Sequence, residues 1–463
     1  MFNFNSSIIL GMAAAYILFT AGISIWSSKF AGTTTKFMTG DRNIGVFVIS
    51  LLLVSEWIAT GSTVGTAEIA FKKGMSVAWN VLSLTIALAL FSIFMARKYQ
   101  ESGEYTISGL ISKRYGSHAA LLASVITIYA FAAVNVMNYV GGAATLSAIL
   151  NIPMNLAIWL TAFIAIIYVV AGGIKSVAYT NLVHALFKLT GVIITTIVAL
   201  KMSGGLWHLH RVMPPIYFSV TEGVGVPQII AWIVGSIGAV FCTQYVIQAI
   251  GSMAGSKQAV QATALAGLII IPVALMASII GIAAKYVFPD LKAVWAIPIF
   301  ASHMNPWLGG IVVAGLMAAV FGTVSAMTLG ATALIIRDIY DPLVKPSERH
   351  KLIAARVIAM LFGLLPVFFA LLAPEIIKTL FFSRALRTSL SVVVICMFYL
   401  PLFSSGRGVT VGLICSVITT TVWYVLKNPF GIDNIYVGIV VPVIAMAIDH
   451  ACPSRLLKNS YFG

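Results

Sequence analysis

Charged side chains are scarce in this chain of 463 residues. Asp and Glu together number 13, charged residues make up 9% of the chain, and hydrophobic residues make up 60%. This composition excludes a soluble globular protein and predicts an all-α polytopic membrane protein. The net charge of +15 then indicates basic loops on one side of a lipid bilayer and no nucleic-acid partner, since cytoplasmic loops collect Lys and Arg.

Motifs for covalent and metal chemistry are also missing. The chain holds only four cysteines, Cys242, Cys396, Cys415 and Cys452, without C-x-x-C spacing, which argues against a disulfide framework. No G-x-x-x-x-G-K-S/T phosphate loop occurs, and the serines lie far from any His and acid that could form a hydrolytic set. We therefore predict no enzyme, no cofactor, no metal beyond a coupling ion, and no protein partner.

Long apolar runs follow one another along the whole chain. With about 20 residues for each span, they predict a single membrane domain, 1–463, of about thirteen helices. The first run, Ile8 to Trp26, lacks a cleavage site and is predicted to be an uncleaved helix. The predicted helices are 7–28, 45–71, 75–97, 118–150, 154–172, 176–202, 226–252, 258–287, 307–338, 351–373, 376–402, 408–427 and 434–450.

The basic residues divide unequally between alternate connections. One set of loops holds most of them, including Lys29, Arg97, Lys113 and Arg407, and is predicted to face the cytoplasm. With an odd number of spans, the N-terminus lies outside and the C-terminus inside. The expected location is a plasma membrane, the cytoplasmic membrane of a bacterium.

Two of the predicted spans carry polar and glycine residues at their centres. The stretch Gly40 to Phe71 holds Glu56, Gly61, Gly65 and Glu68, and an ionisable group at mid-membrane depth costs roughly 2.5 kcal/mol or more. The run Pro227 to Ser252 holds Gly235, Gly238, Thr243, Gln244 and Gln248. Two such interrupted helices are typical of transporters built from inverted repeats, whose broken helices bind solute and ion. Glycine can instead serve only to let neighbouring membrane helices pack closely.

Four segments carry a family resemblance. GDRNIG followed by SEWIATGSTVGTAEIAF resembles the start of the core in the sodium/solute symporter family, and GTAE is similar to its choline-transporter branch. AGGIKSVAYTNLVHALFKLTG, CTQYVIQAIGS and AGLMAAVFGTVSAM with the later RDIY resemble its fifth, sixth and eighth core helices. The resemblance implies a leucine-transporter-type core of five plus five helices, with repeats at 45–202 and 226–402, one helix (7–28) before it and two (408–450) after it.

The resemblance also implies a cation site between the first and eighth core helices. Backbone oxygens of Ser55, Ile58 and Ala319 and side chains at 322 and 323 would bind Na⁺, the family's coupling ion. The positions here hold Gly322 and Thr323, with Ser325 nearby, so one expected hydroxyl is missing. Na⁺ is a hard cation that takes several oxygen ligands.

Lys188 offers an alternative to Na⁺. It lies about two turns after Asn181 on the same helix face, and the resemblance turns that face toward the cation site. The lysine ammonium could occupy the place of Na⁺ and carry a proton, so H⁺ is a rival coupling ion. Alternatively, Lys188 pairs permanently with Glu56 or Glu68. Glu56 is a candidate proton carrier or counter-ion. Glu68 and Asn181 are further candidates of this charge group; alternatively, Glu68 only ties the two half-helices together.

The solute is expected between the two breaks. A cage of aromatic rings would suit a quaternary amine, but Thr243 stands where the choline branch has a second tryptophan. Arg384 and Arg387 favour a small polar solute with a carboxylate, such as an amino acid; they could instead pair with Glu375 or reach the outer headgroups. The candidate solute-binding residues are Trp57, Thr60, Asn135, Asn138, Tyr139, Thr243, Gln244, Phe381 and Arg384.

We therefore predict a secondary active transporter that carries a small solute inward by alternating access, in symport with Na⁺ on family grounds; the alternative is proton-coupled or sodium-independent transport that uses Lys188. A membrane sensor without transport is the competing class, since some relatives of this fold are joined to signalling kinases. The chain stops at Gly463, and no signalling domain is expected.

Overall fold

The computed structural model describes residues 4–28, 45–104, 106–251, 253–372 and 375–451. Within these ranges the chain forms helices and turns, and no strand. The first five residues (40–44) of the predicted GDRNIG start of the core, the basic residue Lys29, and Cys452 lie outside the described residues. The helices are α1 (Phe4–Ser28), α2 (Val46–Trp57), α3 (Val64–Lys73), α4 (Trp79–Phe94), α5 (Ala96–Ser102), α6 (Ile107–Leu150), α7 (Met154–Met202), α8 (Leu206–Val212), α9 (Val226–Phe241), α10 (Gln244–Gly251), α11 (Ser256–Val287), α12 (Pro298–Ser302), α13 (Pro306–Ile335), α14 (Asp341–Val344), α15 (Glu348–Leu372), α16 (Ile376–Tyr399), α17 (Gly406–Val425) and α18 (Asn434–Ala451).

The first predicted interruption is confirmed. Helix α2 ends at Trp57 and α3 begins at Val64. Between them the backbone leaves helical geometry, with φ −84° and ψ 70° at Ile58 and φ −108° and ψ −82° at Thr63. The break therefore frees the last carbonyl groups of α2 and the first amide groups of α3 for other partners.

The second interruption is confirmed as well. Helices α9 and α10 meet at a bend of 49°, with Cys242 and Thr243 between them. The two broken helices contact each other, since the rings of Trp57 and Tyr245 have centroids 5.7 Å apart. One break is thus packed beside the other.

Helix α7 differs from the prediction. The sequence predicts two helices, 154–172 and 176–202, whereas α7 is continuous over 49 residues. The predicted turn rested on Gly172 and Gly173, and glycine costs a helix only about 1 kcal/mol per residue, which packing can offset. The side chains of 171–179 lie outside the described set.

The number of membrane spans stays a prediction. The described residues contain nine helices that are long and apolar enough to cross a bilayer, or ten if the bent pair counts as one span. Shorter apolar helices occupy Ser7–Ile23, Val46–Trp57 and Met154–Ile167. These segments fall where the sequence predicts spans. The count of thirteen and the repeat boundaries at 45–202 and 226–402 stay predictions.

Close contact between α7 and α13 positions the candidate ion site. A Cβ added to Gly315 would lie 2.5 Å from the carbonyl oxygen of Phe187, and one added to Gly191 would lie 3.5 Å from the Cα of Gly315. Small residues let the two backbones approach, as is common between membrane helices. Lys188 follows Phe187 on α7 and is consequently held at the interface with α13.

Helix α1 packs on the outside of this pair. The ring of Tyr16 lies against that of Phe187, with centroids 4.6 Å apart. Its hydroxyl also forms a hydrogen bond with Nδ1 of His184. The first helix therefore supports α7 one turn away from Lys188.

Candidate cation and solute site

Side-chain donors hold the backbone of the first break in place. The hydroxyl of Ser62 donates to the carbonyl oxygen of Trp57 at 2.7 Å, and that of Thr63 donates to the carbonyl of Ala59 at 3.1 Å. From α4, the Asn80 amide donates to the Gly61 carbonyl at 3.1 Å. Buried carbonyl groups need such partners, so the polar residues that interrupt the span also stabilise its broken form.

Lys188 takes one of the freed carbonyl groups. Its Nζ donates to the backbone oxygen of Ser55 at 2.6 Å and lies 3.3 Å from the Ser55 hydroxyl. The side chain is 2% exposed. Because Ser55 lies in the last turn of α2, its carbonyl has no ordinary helical donor, and the ammonium replaces that donor.

Gly322 leaves space for this ammonium. A Cβ added at Gly322 would lie 3.3 Å from Nζ of Lys188, 3.3 Å from Oδ1 of Asn181 and 3.0 Å from Cδ2 of His184. Gly322 thus lacks the hydroxyl that is expected at the cation site, and three side chains of α7 occupy the space beside it.

Glu56 lies beside these side chains of α7 but does not form the expected ion pair with Lys188. Asn181 donates to its Oε1 at 2.8 Å, and its Oε2 has no hydrogen-bond partner. Among the described residues, no ion pair joins Lys188 to a carboxylate. The geometry therefore differs from a direct pair of Lys188 with Glu56 or Glu68.

The remaining predicted cation residues are distributed around Lys188. Ala319 and Lys188 line one small buried cavity between α7 and α13. The hydroxyl of Thr323 is buried without a partner, whereas Ser325 donates to the carbonyl of its own helix at Gly322, at 2.9 Å. Ile58 is buried at the start of the break. The site keeps oxygen atoms, but an ammonium already binds one of them.

Arg384 lies deep inside the bundle at the other side of the break. It is 1% exposed, and its NH1 donates to the hydroxyl of Ser236 at 2.8 Å and the carbonyl of Asn80 at 3.3 Å. Its guanidinium lies 4.4 Å from the centroid of the Phe381 ring. Its Nε has no partner, so this buried cation retains an unused donor.

Arg387 lies one turn further along α16. It donates to the hydroxyl of Ser383 at 3.0 Å and to that of Thr243, in the second break, at 3.2 Å. In the described part of the chain neither arginine contacts a carboxylate. Glu375, the predicted alternative partner, instead pairs with Lys378 at 2.9 Å, so that alternative is wrong.

Several other predicted solute residues present unsatisfied polar atoms. The atoms without a hydrogen-bond partner include Nε1 of Trp57, Oγ1 of Thr60, and Oδ1 of Asn135 and of Asn138. The Thr60 methyl group packs directly on Gly141, since a Cβ added at Gly141 would lie 1.7 Å from it. These atoms, on α2, the break and α6, are available to a bound molecule because buried polar groups normally find partners.

Two predicted solute residues have structural partners instead. The hydroxyl of Tyr139 donates to the carbonyl of Gly363 at 2.7 Å. The Oε1 of Gln244 accepts from the backbone amide of Ile107 at 3.1 Å, at the first residue of α6. Both contacts join helices that are far apart in the chain, and neither involves the first break.

Sequence analysis missed several polar residues of the site. Asn80, Ser236 and Tyr245 surround the arginines, and His184 adjoins Lys188. Their signal is weak because single polar residues are common in membrane helices. Only the i, i+4 spacing of His184 and Lys188 places both on one face.

Residues 37–414 of the sequence match the model of the sodium:solute symporter family. The chain belongs to that family. The predicted family resemblance is confirmed, and the protein is a membrane transporter of the symporter type. Among curated relatives, the sodium/pantothenate symporter of Escherichia coli (strain K12) is 25% identical over 390 residues, covering 78% of this chain and 79% of the relative.

Other relatives are named for different solutes. The sodium/glucose cotransporter of Vibrio parahaemolyticus is 23% identical and covers 87% of this chain and 82% of its own length. The solved structure of a Na⁺-coupled sialic acid symporter, substrate-bound and outward-open, has a TM-score of 0.79 at 16% identity. It covers 97% of this chain and 98% of its own. This similarity confirms the predicted transporter fold.

Proposed function

We propose that this transporter couples solute uptake to a proton carried by Lys188, in place of the Na⁺ used by its family. The supporting observation is the 2.6 Å contact between the Lys188 ammonium and the Ser55 carbonyl. The family resemblance assigns that carbonyl to the cation. An ammonium and a Na⁺ ion cannot occupy one position, so the lysine would exclude the ion it resembles in charge.

The proton would act by holding or releasing the broken helix. Protonated Lys188 donates to Ser55 and joins α7 to α2. Loss of the proton removes the positive charge and weakens this contact, which allows α2 to adopt a second arrangement. A ligand shifts such a two-state equilibrium only through its different affinity for the two states, and here the proton would supply that difference.

The other oxygen atoms near Lys188 support this proposal. Sodium takes several oxygen ligands at once. Gly322 contributes no side-chain oxygen, so one oxygen that the family resemblance expects at the cation site is missing. Thr323 keeps an unpartnered hydroxyl and is the residue on which Na⁺ coupling, the family default, would depend.

For the solute, we propose a small molecule with a carboxylate. Arg384 and Arg387 are 1% and 2% exposed and contact hydroxyl and carbonyl groups rather than acids. A buried cation without an anion is unfavourable, and a guanidinium binds a carboxylate through two parallel hydrogen bonds. The unused Nε of Arg384 gives such a solute a donor.

Uptake into proteoliposomes tests the coupling ion. In Na⁺-free medium, an inwardly directed proton gradient should drive accumulation of a carboxylate solute, and Na⁺ added without that gradient should not. The Thr323→Ala variant should behave as the native protein does. Strict dependence on Na⁺, or a raised Na⁺ requirement in this variant, would instead favour sodium coupling.

The same assay distinguishes transport from sensing. A sensor would bind a solute and show no accumulation under any gradient.

We propose that the protein lies in a plasma membrane with its N-terminus outside and that no protein partner is required. Uptake by the purified chain would support the latter point.

A further inference from the structure

Three basic side chains without an acid partner lie on helices that meet at one edge of the bundle. This cation cluster consists of Lys98 on α5, Arg114 near the start of α6 and Arg407 in the first turn of α17. In the residue ranges that the structure describes, no ion pair joins a member of the cluster to a carboxylate. Asp449, which lies against the start of α17, instead accepts from the Ser405 amide at 2.9 Å. The positive charges of the cluster are therefore available to an external anion.

The end of α16 and the turn after it contact two members of the cluster. The Lys98 ammonium lies 4.5 Å from the centroid of the Tyr399 ring and 5.8 Å from that of Phe398. Two residues after Tyr399, the carbonyl oxygen of Pro401 accepts a hydrogen bond from NH2 of Arg114. Lys98 and Arg114 are therefore held beside one short segment, although they lie on different helices.

Contact between two backbones places Arg407 beside Arg114. A Cβ added at Gly406 would lie 2.3 Å from the carbonyl oxygen of Tyr115. Gly406 precedes Arg407 and Tyr115 follows Arg114, so the start of α17 packs on the segment that carries Arg114. Both arginine side chains are exposed, and one anionic group can approach them from outside the bundle.

The basic residues next in sequence differ from the cluster because each has an acid partner. Arg97 pairs with Glu101 at 2.7 Å, and Lys113 pairs with Glu104 at 2.7 Å. The charge of each of these cations is already balanced within the protein. The uncompensated positive charge at this edge is consequently that of the cation cluster.

Exposed apolar side chains lie beside the cation cluster. Ile93 and Phe94 at the end of α4 are exposed, as are Leu400 and Leu402 in the turn after α16. The hydroxyl of Tyr399 joins the two places, since it donates to the carbonyl oxygen of Phe94 at 2.7 Å. Basic residues next to an exposed apolar surface match the boundary between lipid headgroups and acyl chains, where Tyr is also enriched.

We infer that the cation cluster is a binding site for an anionic phospholipid of the leaflet that the basic loops face. The lipid phosphate would contact the ammonium and guanidinium groups, and a guanidinium binds phosphate through two parallel hydrogen bonds. The acyl chains would lie on the exposed apolar side chains of α4 and of the turn after α16. Basic sites between membrane helices on the cytoplasmic side bind such headgroups. Lys188 and Arg384 are not part of this site, so lipid binding would be independent of the coupling ion and of the solute.

Native mass spectrometry of the purified full chain in detergent tests the lipid site. The chain is titrated with phosphatidylglycerol or with phosphatidylcholine of the same acyl chains, and the apparent Kd of each lipid is measured. Lys98→Gln, Arg114→Gln and Arg407→Gln are made singly and together. Arg97→Gln and Lys113→Gln are matched controls, because they change the net charge equally at adjacent positions and remove cations that are already paired.

Phosphatidylglycerol should bind more tightly than phosphatidylcholine. Each cluster variant should raise the Kd of phosphatidylglycerol about fivefold, the effect of one basic residue near an anionic surface, and the two controls should leave it unchanged. Arg407→Gln alone decides the matter if the combined variant is unstable, since an exposed side chain can be replaced with little effect on folding.

Three results would overturn the lipid site. An equal loss of affinity in Arg97→Gln and Lys113→Gln would show general attraction to a basic surface. Equal binding of phosphatidylcholine would show that the phosphate charge is not recognised. Displacement of phosphatidylglycerol by inorganic phosphate at the same concentration would identify a site for free anions that makes no use of the apolar surface.

Discussion

The ammonium of Lys188 donates to the backbone oxygen of Ser55 at 2.6 Å, and this contact joins a long helix to a half-helix that ends two residues later. The position is one at which the family resemblance predicts a metal ion. With Lys188 at this position, the positive charge belongs to a titratable side chain of the protein and not to a bound metal ion. Coupling would then depend on protonation of the transporter and not on binding of a free cation.

Replacing Lys188 by alanine should abolish accumulation driven by a pH gradient. Without the amine, Ser55 has no donor whose charge changes with pH, while the solute residues on α6 and α16 remain. Exchange of labelled for unlabelled solute should therefore continue. Counterflow and gradient-driven uptake, measured on the same proteoliposomes, separate these two activities.

Two variants control the Lys188 experiment. Lys188→Arg keeps a positive charge that proteins do not deprotonate, so it too should lose accumulation. Lys201→Ala removes an exposed lysine from the same helix and should transport normally. A Lys188→Ala protein that still concentrates solute against its gradient would end the proposal.

Replacing Gly322 by serine should destabilise the protein. The new Cβ would lie 3.3 Å from Nζ of Lys188 and 3.0 Å from the His184 ring, and overpacking of this kind typically costs about 1–3 kcal/mol. Thermal unfolding in detergent measures the loss. The Gly11→Ser variant is a matched control, because nothing lies within 4 Å of a Cβ at that position.

The double variant tests whether Lys188 is the residue that is crowded. Combined with Lys188→Ala, Gly322→Ser should cost less stability than it does alone, with an interaction energy of about 0.5–3 kcal/mol. Strict additivity of the two changes would show that Gly322 serves another contact. Any gain of Na⁺-dependent stabilisation in the double variant would identify the place as a former sodium site.

Replacing Arg384 by alanine should weaken binding of a carboxylate solute by about 1.5–3 kcal/mol, the range for a hydrogen bond to a charged group. Equilibrium binding of the labelled solute to the purified protein measures the loss. Lys378→Ala removes a cation of the same helix whose partner is the exposed Glu375, and it should bind normally. Unchanged affinity in Arg384→Ala would place the solute elsewhere.

The two breaks could be predicted from sequence because their cause is local. Glu56, Gly61 and Gly65 in one apolar run are unfavourable in a continuous membrane helix, and the same argument holds for Gly235 and Gly238. The family motifs then indicated which helices meet. The structure confirms both interruptions; Gly61 lies in the first break, whereas Gly235 and Gly238 lie inside α9 and the second break falls at Cys242 and Thr243.

The partners of individual side chains could not be predicted, because they depend on distant parts of the chain. Sequence analysis predicted that Lys188 pairs with a carboxylate or replaces an ion, but the contact with the Ser55 carbonyl requires the end of α2 to be known. Gln244 likewise binds the start of α6 at Ile107. A polar residue in an apolar run shows that a partner exists and does not identify it.

Tyr139 provides the last prediction, since sequence analysis places it with the solute and the structure gives it another partner. Its hydroxyl donates to the carbonyl of Gly363 on α15 at 2.7 Å, and the side chain is fully buried. Tyr139→Phe should therefore reduce the free energy of unfolding by about 0.5–1.5 kcal/mol and leave the KM for uptake unchanged. Asn138→Ala, which alters an unpartnered oxygen on the same helix, should change the KM with a smaller effect on stability. If Tyr139→Phe raised the KM while stability stayed constant, the hydroxyl would have to leave Gly363 during transport and bind the solute.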